Sequence, residues 1–194
     1  MIVLASRSPQ RRGILTALGV PHRVVVSRHA EDDVPGLEPG EQALLHARAK
    51  AEEVAARSGV PAGGAVLGAD TMVVADGGVF GKPAGEAEAK AMLRALGGRA
   101  HEVVTAVHLI GAAGRREAVD RATVVFRPLS EAVLAWYLGR GEWQGRAGGY
   151  AIQGSGGALV ARVEGDFTTV VGLPVAALVG LLEDLGIAPW SDGP

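Results

Sequence analysis

VLGADTMVVADGGVFGKP, Val66–Pro83, sets a single acid inside a run that otherwise reads as a buried strand. Val66, Leu67, Met72, Val73 and Val74 are the apolar members, and Asp70 stands among them. A carboxylate taken out of water is costly unless it is paired, hydrogen-bonded or bound to a metal. Asp70 is therefore either a structural acid holding a neighbouring loop or an acid kept for chemistry, and the stretch alone leaves both open. Asp76-Gly77-Gly78 then reads as a turn that brings the chain back toward Lys82.

The regions on either side predict alternating strands and helices. Ile2–Ala5 is a short apolar run, hence a buried strand. Ser8 is a good N-cap, Pro9 suits the first helical position, and Ile14, Leu15 and Leu18 mark one face of a helix closed by Gly19. A strand, a polar loop and a helix N-terminus favour an anion. Gln10, Arg11 and Arg12 add side-chain donors, and cations at a helix N-terminus oppose the macrodipole, which points to a ligand. Arg23–Ser27 reads as a second strand ending near the consecutive acids Glu31, Asp32 and Asp33, which are a solvated loop or an oxygen-ligand cluster for a divalent cation.

Glu41–Ser58 reads as a helix with Leu44, Ala47, Ala51, Val54 and Ala55 as its stripe and Lys50 beside it. Glu86–Leu96 is a further helix, with Ala89, Met92, Leu93 and Leu96 inward and Gly97-Gly98 ending it. Val103–Ile110 and Glu117–Arg127 read as hairpin partners, and Leu129–Gly139 as a helix. Gly145–Gly157 holds six glycines in thirteen residues, a loop where backbone approaches a ligand or turns sharply. A strand resumes at Leu159-Val160. A last helix covers Val175–Leu185, and residues 188–194 read as a flexible tail.

Composition bounds the class. The chain has 194 residues and is 48% hydrophobic, enough for one α/β domain over residues 1–187. A net charge of −2 gives no basic field for nucleic acid. The absence of cysteine excludes disulfides, thiolate chemistry and cysteine zinc sites. The first apolar run is too short for a signal peptide and no stretch is long enough to span a bilayer, so a cytoplasmic protein without membrane contact is expected. There is no P-loop ending, no GxGxxG after the first strand and no GxSxG. His29, His46, His101 and His108 lack metal-ligand spacing and read as surface or core histidines. What remains is a set of cations, Arg11, Arg12, Lys50 and Lys82, with the acids Asp70 and Glu31. That balance suits phosphoryl or nucleotidyl chemistry.

These residues resemble a known family. LASRSPQRRGIL (Leu4–Leu15), Glu31, ARAKA (Ala47–Ala51), VLGADTMVV, FGKP, GGRAHEVVTAV, AGGYAIQG and GDFTTVVGLPV follow, nearly end to end and in order, the pattern of Maf proteins. These are nucleoside triphosphate pyrophosphatases, once described through septum formation. The resemblance implies an elongated mixed β-sheet flanked by helices, with two lobes around a nucleotide cleft. It implies hydrolysis of a nucleoside triphosphate to the monophosphate and pyrophosphate with Mg²⁺ or Mn²⁺, and a homodimer. It makes Asp70 the proton acceptor, or a metal ligand together with Glu31. Ser6, Arg11, Lys50 and Lys82 become phosphate-binding residues, and Gln10, Thr71 and Gln153 tune the choice of base. Thr71 and Gln153 resemble the branch acting on dTTP and UTP; the branch acting on 7-methyl-GTP resembles Gln after the Asp. Gln10 departs from the dTTP/UTP pattern, which has Arg after Ser-Pro, and Arg11 follows it directly. A nucleotide-binding regulator of cell division with little catalysis is the competing expectation.

Overall fold

The computed structural model describes residues 1–32 and 34–188. The alternation of strands and helices expected above is met by six α-helices and a seven-stranded mixed sheet among these residues. The strands are β1 (Ile2–Leu4), β2 (His22–Val24), β3 (Ala65–Ala75), β4 (Gly78–Phe80), β5 (Ala100–Gly111), β6 (Gly114–Phe126) and β7 (Val160–Glu164). The helices are α1 (Pro9–Ala17), α2 (Pro39–Ser58), α3 (Glu86–Leu96), α4 (Glu131–Leu138), α5 (Phe167–Val171) and α6 (Val175–Asp184). The sheet order is β2-β1-β3-β5-β6-β7, with β4 paired to β3. The tail expected at residues 188–194 lies, past Ala188, outside the described residues.

Two compact units share this chain. The first takes residues 1–70, 105–120 and 172 onward; the second takes 71–104 and 121–171. In the first, β1 pairs in parallel with β2 on one side and β3 on the other, Leu4 facing Val24 and Leu67. The chain leaving β1 crosses to β2 on one side, and the chain leaving β3 reaches β5 on the other. The topological switch point, where open α/β sheets bind ligands beyond the carboxyl ends of strands, therefore falls between β1 and β3. Strand alternation sorts the two faces. Ile2, Leu4, Ala65, Leu67 and Ala69 pack with Leu15 of α1 and Leu178 and Leu182 of α6. Val3, Ala5 and Val66 pack with Ala51 and Val54 of α2. Gly68 and Asp70 continue the second series, so both face α2.

The second unit has its own core, in which Val73, Ala89, Leu93, Val124, Phe126, Leu134 and Tyr137 are buried together. Asp76, at φ 51°, and Gly77, at φ 77°, make the tight turn from β3 into β4, and Arg99 pairs with Asp76. His101 is buried beside Phe126 and Tyr150, sharing a 2.9 Å hydrogen bond with the Tyr150 hydroxyl.

Three local expectations shift. β2 spans His22–Val24 rather than residues 23–27, because Val26 is exposed and its carbonyl is taken by Arg57 of α2. α2 starts at Pro39, ahead of Glu41, and Leu44 is only partly buried while Gln42, Ala43 and His46 are buried. α5 was not expected; Asp166 Oδ1 accepts from the Thr168 amide at 2.7 Å and nucleates it.

Candidate active site

β1 ends at Leu4, whereas β3 continues past Leu67, Leu4's partner, and Asp70 lies on it three residues further on. The residues leaving β1 peel away there and wrap into α1. Ser8 caps α1 by accepting from the Arg11 amide, as its position predicts, and its hydroxyl donates to Gln10 Oε1 at 3.2 Å. Ser6 Oγ accepts from the Ser8 amide and from Arg11 Nη1, both at 3.1 Å. Arg11 Nε donates to the Gly172 carbonyl at 2.8 Å, so the guanidinium is clamped between the β1 loop and the residue before Leu173. Arg11 is buried at 8% exposure and Arg12 is exposed, which divides two arginines that the sequence could not tell apart. Burial pushes the Arg11 pKa below its ordinary value, and the Asp70 and Glu31 carboxylates work against that shift.

α2 brings in the second cation. Its apolar positions Ala43, Ala47, Ala51 and Val54 are buried, Ala51 and Val54 against the sheet, and Gly68 lets it come close. A Cβ at Gly68 would run into the Ala47 carbonyl oxygen and the Ala51 amide nitrogen. At that approach Lys50, one residue before Ala51, reaches Asp70. Its Nζ lies 2.6 Å from Asp70 Oδ1 and 2.5 Å from Glu31 Oε1, and donates to the Ala69 carbonyl at 3.4 Å. Lys50 and Asp70 side chains are 7% and 10% exposed and Glu31 is 38% exposed. Asp70 is thus a paired acid, and Lys50 is a buried ammonium shared by two carboxylates.

Those two ion-pair lengths put Glu31 Oε1 and Asp70 Oδ1 at most about 5 Å apart, within reach of one hard cation after small adjustment. Carboxylate oxygens are the donor type for Mg²⁺ and Mn²⁺, and the lysine ammonium already holds a positive charge between them. Among the described residues no group of three or more His, Asp or Glu forms a ready metal cage. A cation bound by this pair would take its other ligands from water and phosphate, the usual habit of Mg²⁺.

Of the residues singled out in the sequence, Ser6, Gln10, Arg11, Glu31, Lys50 and Asp70 all fall in the first unit. Thr71, Lys82 and Gln153 fall in the second. Thr71 is partly buried in β3, while Lys82, just past β4, and Gln153 are exposed. In that unit the Gly148 amide donates to the Gly81 carbonyl at 3.1 Å, tying the glycine-rich loop to the residue before Lys82. The sequence reading passed over Gln42 and took His46 for a surface or core histidine; both are polar residues buried on α2. Their signal was a helical spacing that runs one position ahead of the apolar stripe.

The profile of the family described as Maf-like protein matches residues 1–185. A Thermus thermophilus protein named dTTP/UTP pyrophosphatase is 48% identical over 97% of this chain and 96% of its own length. Proteins of the same name from Deinococcus radiodurans and Pyrococcus furiosus are 44% and 39% identical, covering 97% and 94% of this chain and 95% and 94% of theirs. The solved Staphylococcus aureus Ham1 protein is a distant likeness, with a TM-score of 0.41 at 18% identity over 63% of this chain and 69% of that one. With a match over nearly its whole length and relatives this similar, the chain belongs to the Maf-like protein family.

Proposed function

We propose that this protein hydrolyses nucleoside triphosphates, dTTP and UTP foremost, to the monophosphate and pyrophosphate, clearing unwanted nucleotides from the pool. The observation that carries the reading is the buried Lys50 ammonium between Asp70 and Glu31, beside the Ser6–Arg11 clamp at the end of β1. The names of the relatives supply the substrates.

In this reading the oxygen of a water molecule bonds to the α-phosphorus. The bond from that phosphorus to the bridging oxygen breaks, and pyrophosphate leaves with the electron pair. Asp70 accepts the water's proton, the general-base role open to a carboxylate within reach of the nucleophile. Arg11 and Lys50 face the charge that grows on the phosphate oxygens, held in place before reaction so that little reorganisation is needed. With two donors already aimed at it, Ser6 Oγ keeps its own O–H to offer a phosphate oxygen. Lys82, and Gln10, Thr71 and Gln153 as readers of the base, enter on the family resemblance alone. Mg²⁺ or Mn²⁺, held by Glu31 and Asp70, would supply Lewis-acid neutralisation of the triphosphate charge.

A pyrophosphate-release screen over natural triphosphates, with and without Mg²⁺, tests this. Metal-dependent release that favours dTTP and UTP and vanishes in a folded Asp70→Asn variant is expected. Full turnover in Asp70→Asn, or no release from any triphosphate by the unaltered protein, would overturn it.

A further inference from the structure

α2 carries two stripes side by side. The apolar one, Ala43, Ala47, Ala51 and Val54, is buried, with Ala51 and Val54 packed on the sheet. One position ahead runs a polar one: Gln42, His46, Lys50, Glu53 and Arg57, at the three- and four-residue spacing of one helix face. Every member of the polar stripe holds a point on residues 25–38, the connection that carries Glu31. Gln42 Oε1 accepts from the Val34 amide at 3.0 Å. His46 Nδ1 and His29 Nε2 share a hydrogen bond at 3.0 Å. Lys50 pairs with Glu31, Glu53 Oε2 accepts from the Arg28 amide at 3.1 Å, and Arg57 donates to the Val26 carbonyl at 2.8 Å.

The connection has little of its own to hold it. Most of its described residues are exposed, and no helix or strand falls within it past Val24. Gln42 and His46, in contrast, are 5% and 2% exposed, and His46 Nε2 is buried without a hydrogen-bond partner. A buried imidazole with one unsatisfied nitrogen is a poor choice for packing, where leucine would do better. What it supplies is the bond to His29, two residues from Glu31.

We propose that Gln42 and His46 are positioning residues of the reaction. They register the Glu31 connection on α2, so that Glu31 is presented to Lys50, Asp70 and the metal. The inference rests on the function proposed above.

Two variants and a control test it, on the full chain. His46→Leu and Gln42→Ala should speed amide exchange across residues 25–38 in nucleotide-free protein, with α2 and β3 unchanged. His46→Leu should leave the melting temperature unchanged or raised. Both should weaken Mn²⁺ binding by about tenfold, read by direct titration, as loss of a ligand-orienting neighbour does. Their kcat at limiting metal should fall, while KM for dTTP at saturating metal holds. Val54→Ala, a cut in the apolar stripe, should lower the melting temperature and leave Mn²⁺ binding alone. Unchanged exchange and Mn²⁺ binding in His46→Leu, or equal weakening by Val54→Ala, would overturn the proposal. If the unaltered protein neither binds Mn²⁺ nor releases pyrophosphate, the function above fails, and the exchange rates alone decide whether α2 registers the connection.

Discussion

Lys50→Met removes the ammonium while keeping an unbranched apolar stem of similar length, so it isolates the charge at the centre of the site. In the native protein that charge faces Asp70, whose side chain is 10% exposed, and Glu31, which is 38% exposed. Glu31 loses a partner in a setting where water can replace it, a change of about 0–1 kcal/mol. Asp70 is left as a buried carboxylate without its ion-pair partner, and breaking a buried pair from one side costs about 3–5 kcal/mol. The expected loss is therefore about 3–6 kcal/mol, most of it at Asp70. With a urea slope of about 2 kcal/mol/M, the unfolding midpoint falls by about 1.5–3 M.

The comparison with Asp70→Asn carries the sign. There Lys50 keeps Glu31, so the loss is smaller. Lys50→Met combined with Asp70→Asn leaves no stranded charge and should be more stable than Lys50→Met alone. The assay is urea unfolding followed by far-UV circular dichroism, since Trp136 and Trp143 both lie in the second unit and report poorly on the first. A Lys50→Met loss under about 1 kcal/mol, or a double variant less stable than Lys50→Met, would refute the reasoning.

Two further changes probe other links. Gly68→Ala sets a Cβ against the α2 backbone, with the Ala51 amide nitrogen at 2.9 Å, and should cost about 1–3 kcal/mol and depress activity by moving Lys50. Gly13→Ala, in α1 with open space around it, should be neutral or stabilising by urea unfolding; equal effects at the two sites would contradict the packing. His101 is buried and its pKa is lowered to about 4 by desolvation, so the unfolded chain takes up a proton that the folded one refuses. Stability should fall as the pH drops from about 6.5 toward 4, by up to about 1.4 kcal/mol per unit. His101→Gln should flatten that slope, leaving the part due to His29 and His108, whose pKa values burial also lowers. Identical slopes in the two proteins would count against it.

Much of the fold was legible because local and global signals agree. α3 reads correctly to the residue because Ala89, Leu93 and Leu96 repeat at helical spacing and Gly97 stops them. β3 reads correctly because its apolar run ends in Asp76-Gly77, a pair that favours the tight turn found there. The reading slipped at β2 because a distant group had decided, and at α5 because of a single local cap. Val25 and Val26 carry β propensity, yet Arg57, far along the chain, takes the Val26 carbonyl and the strand stops early. In α5, Thr168, Thr169, Val170 and Val171 look extended, and one Asp166 cap overrides them.

The site divides in the same way. Asp70 was visible as an acid in an apolar run, and Ser8 and Pro9 announced the start of α1. That Lys50 is the partner of Asp70, and that Arg11 rather than Arg12 is buried, depends on Gly68 letting α2 approach and on the Gly172 carbonyl. Neither is a local property. Gln42, and the hold that it and His46 have on residues 25–38, were missed because a polar stripe on a helix ordinarily faces water, and here it faces a loop.

The most direct test of the central claim is the fate of oxygen when the protein turns over dTTP in ¹⁸O-labelled water with Mg²⁺. Attack at the α-phosphorus predicts label in the thymidine monophosphate and none in the pyrophosphate. Labelled pyrophosphate, or thymidine diphosphate with inorganic phosphate, would contradict it.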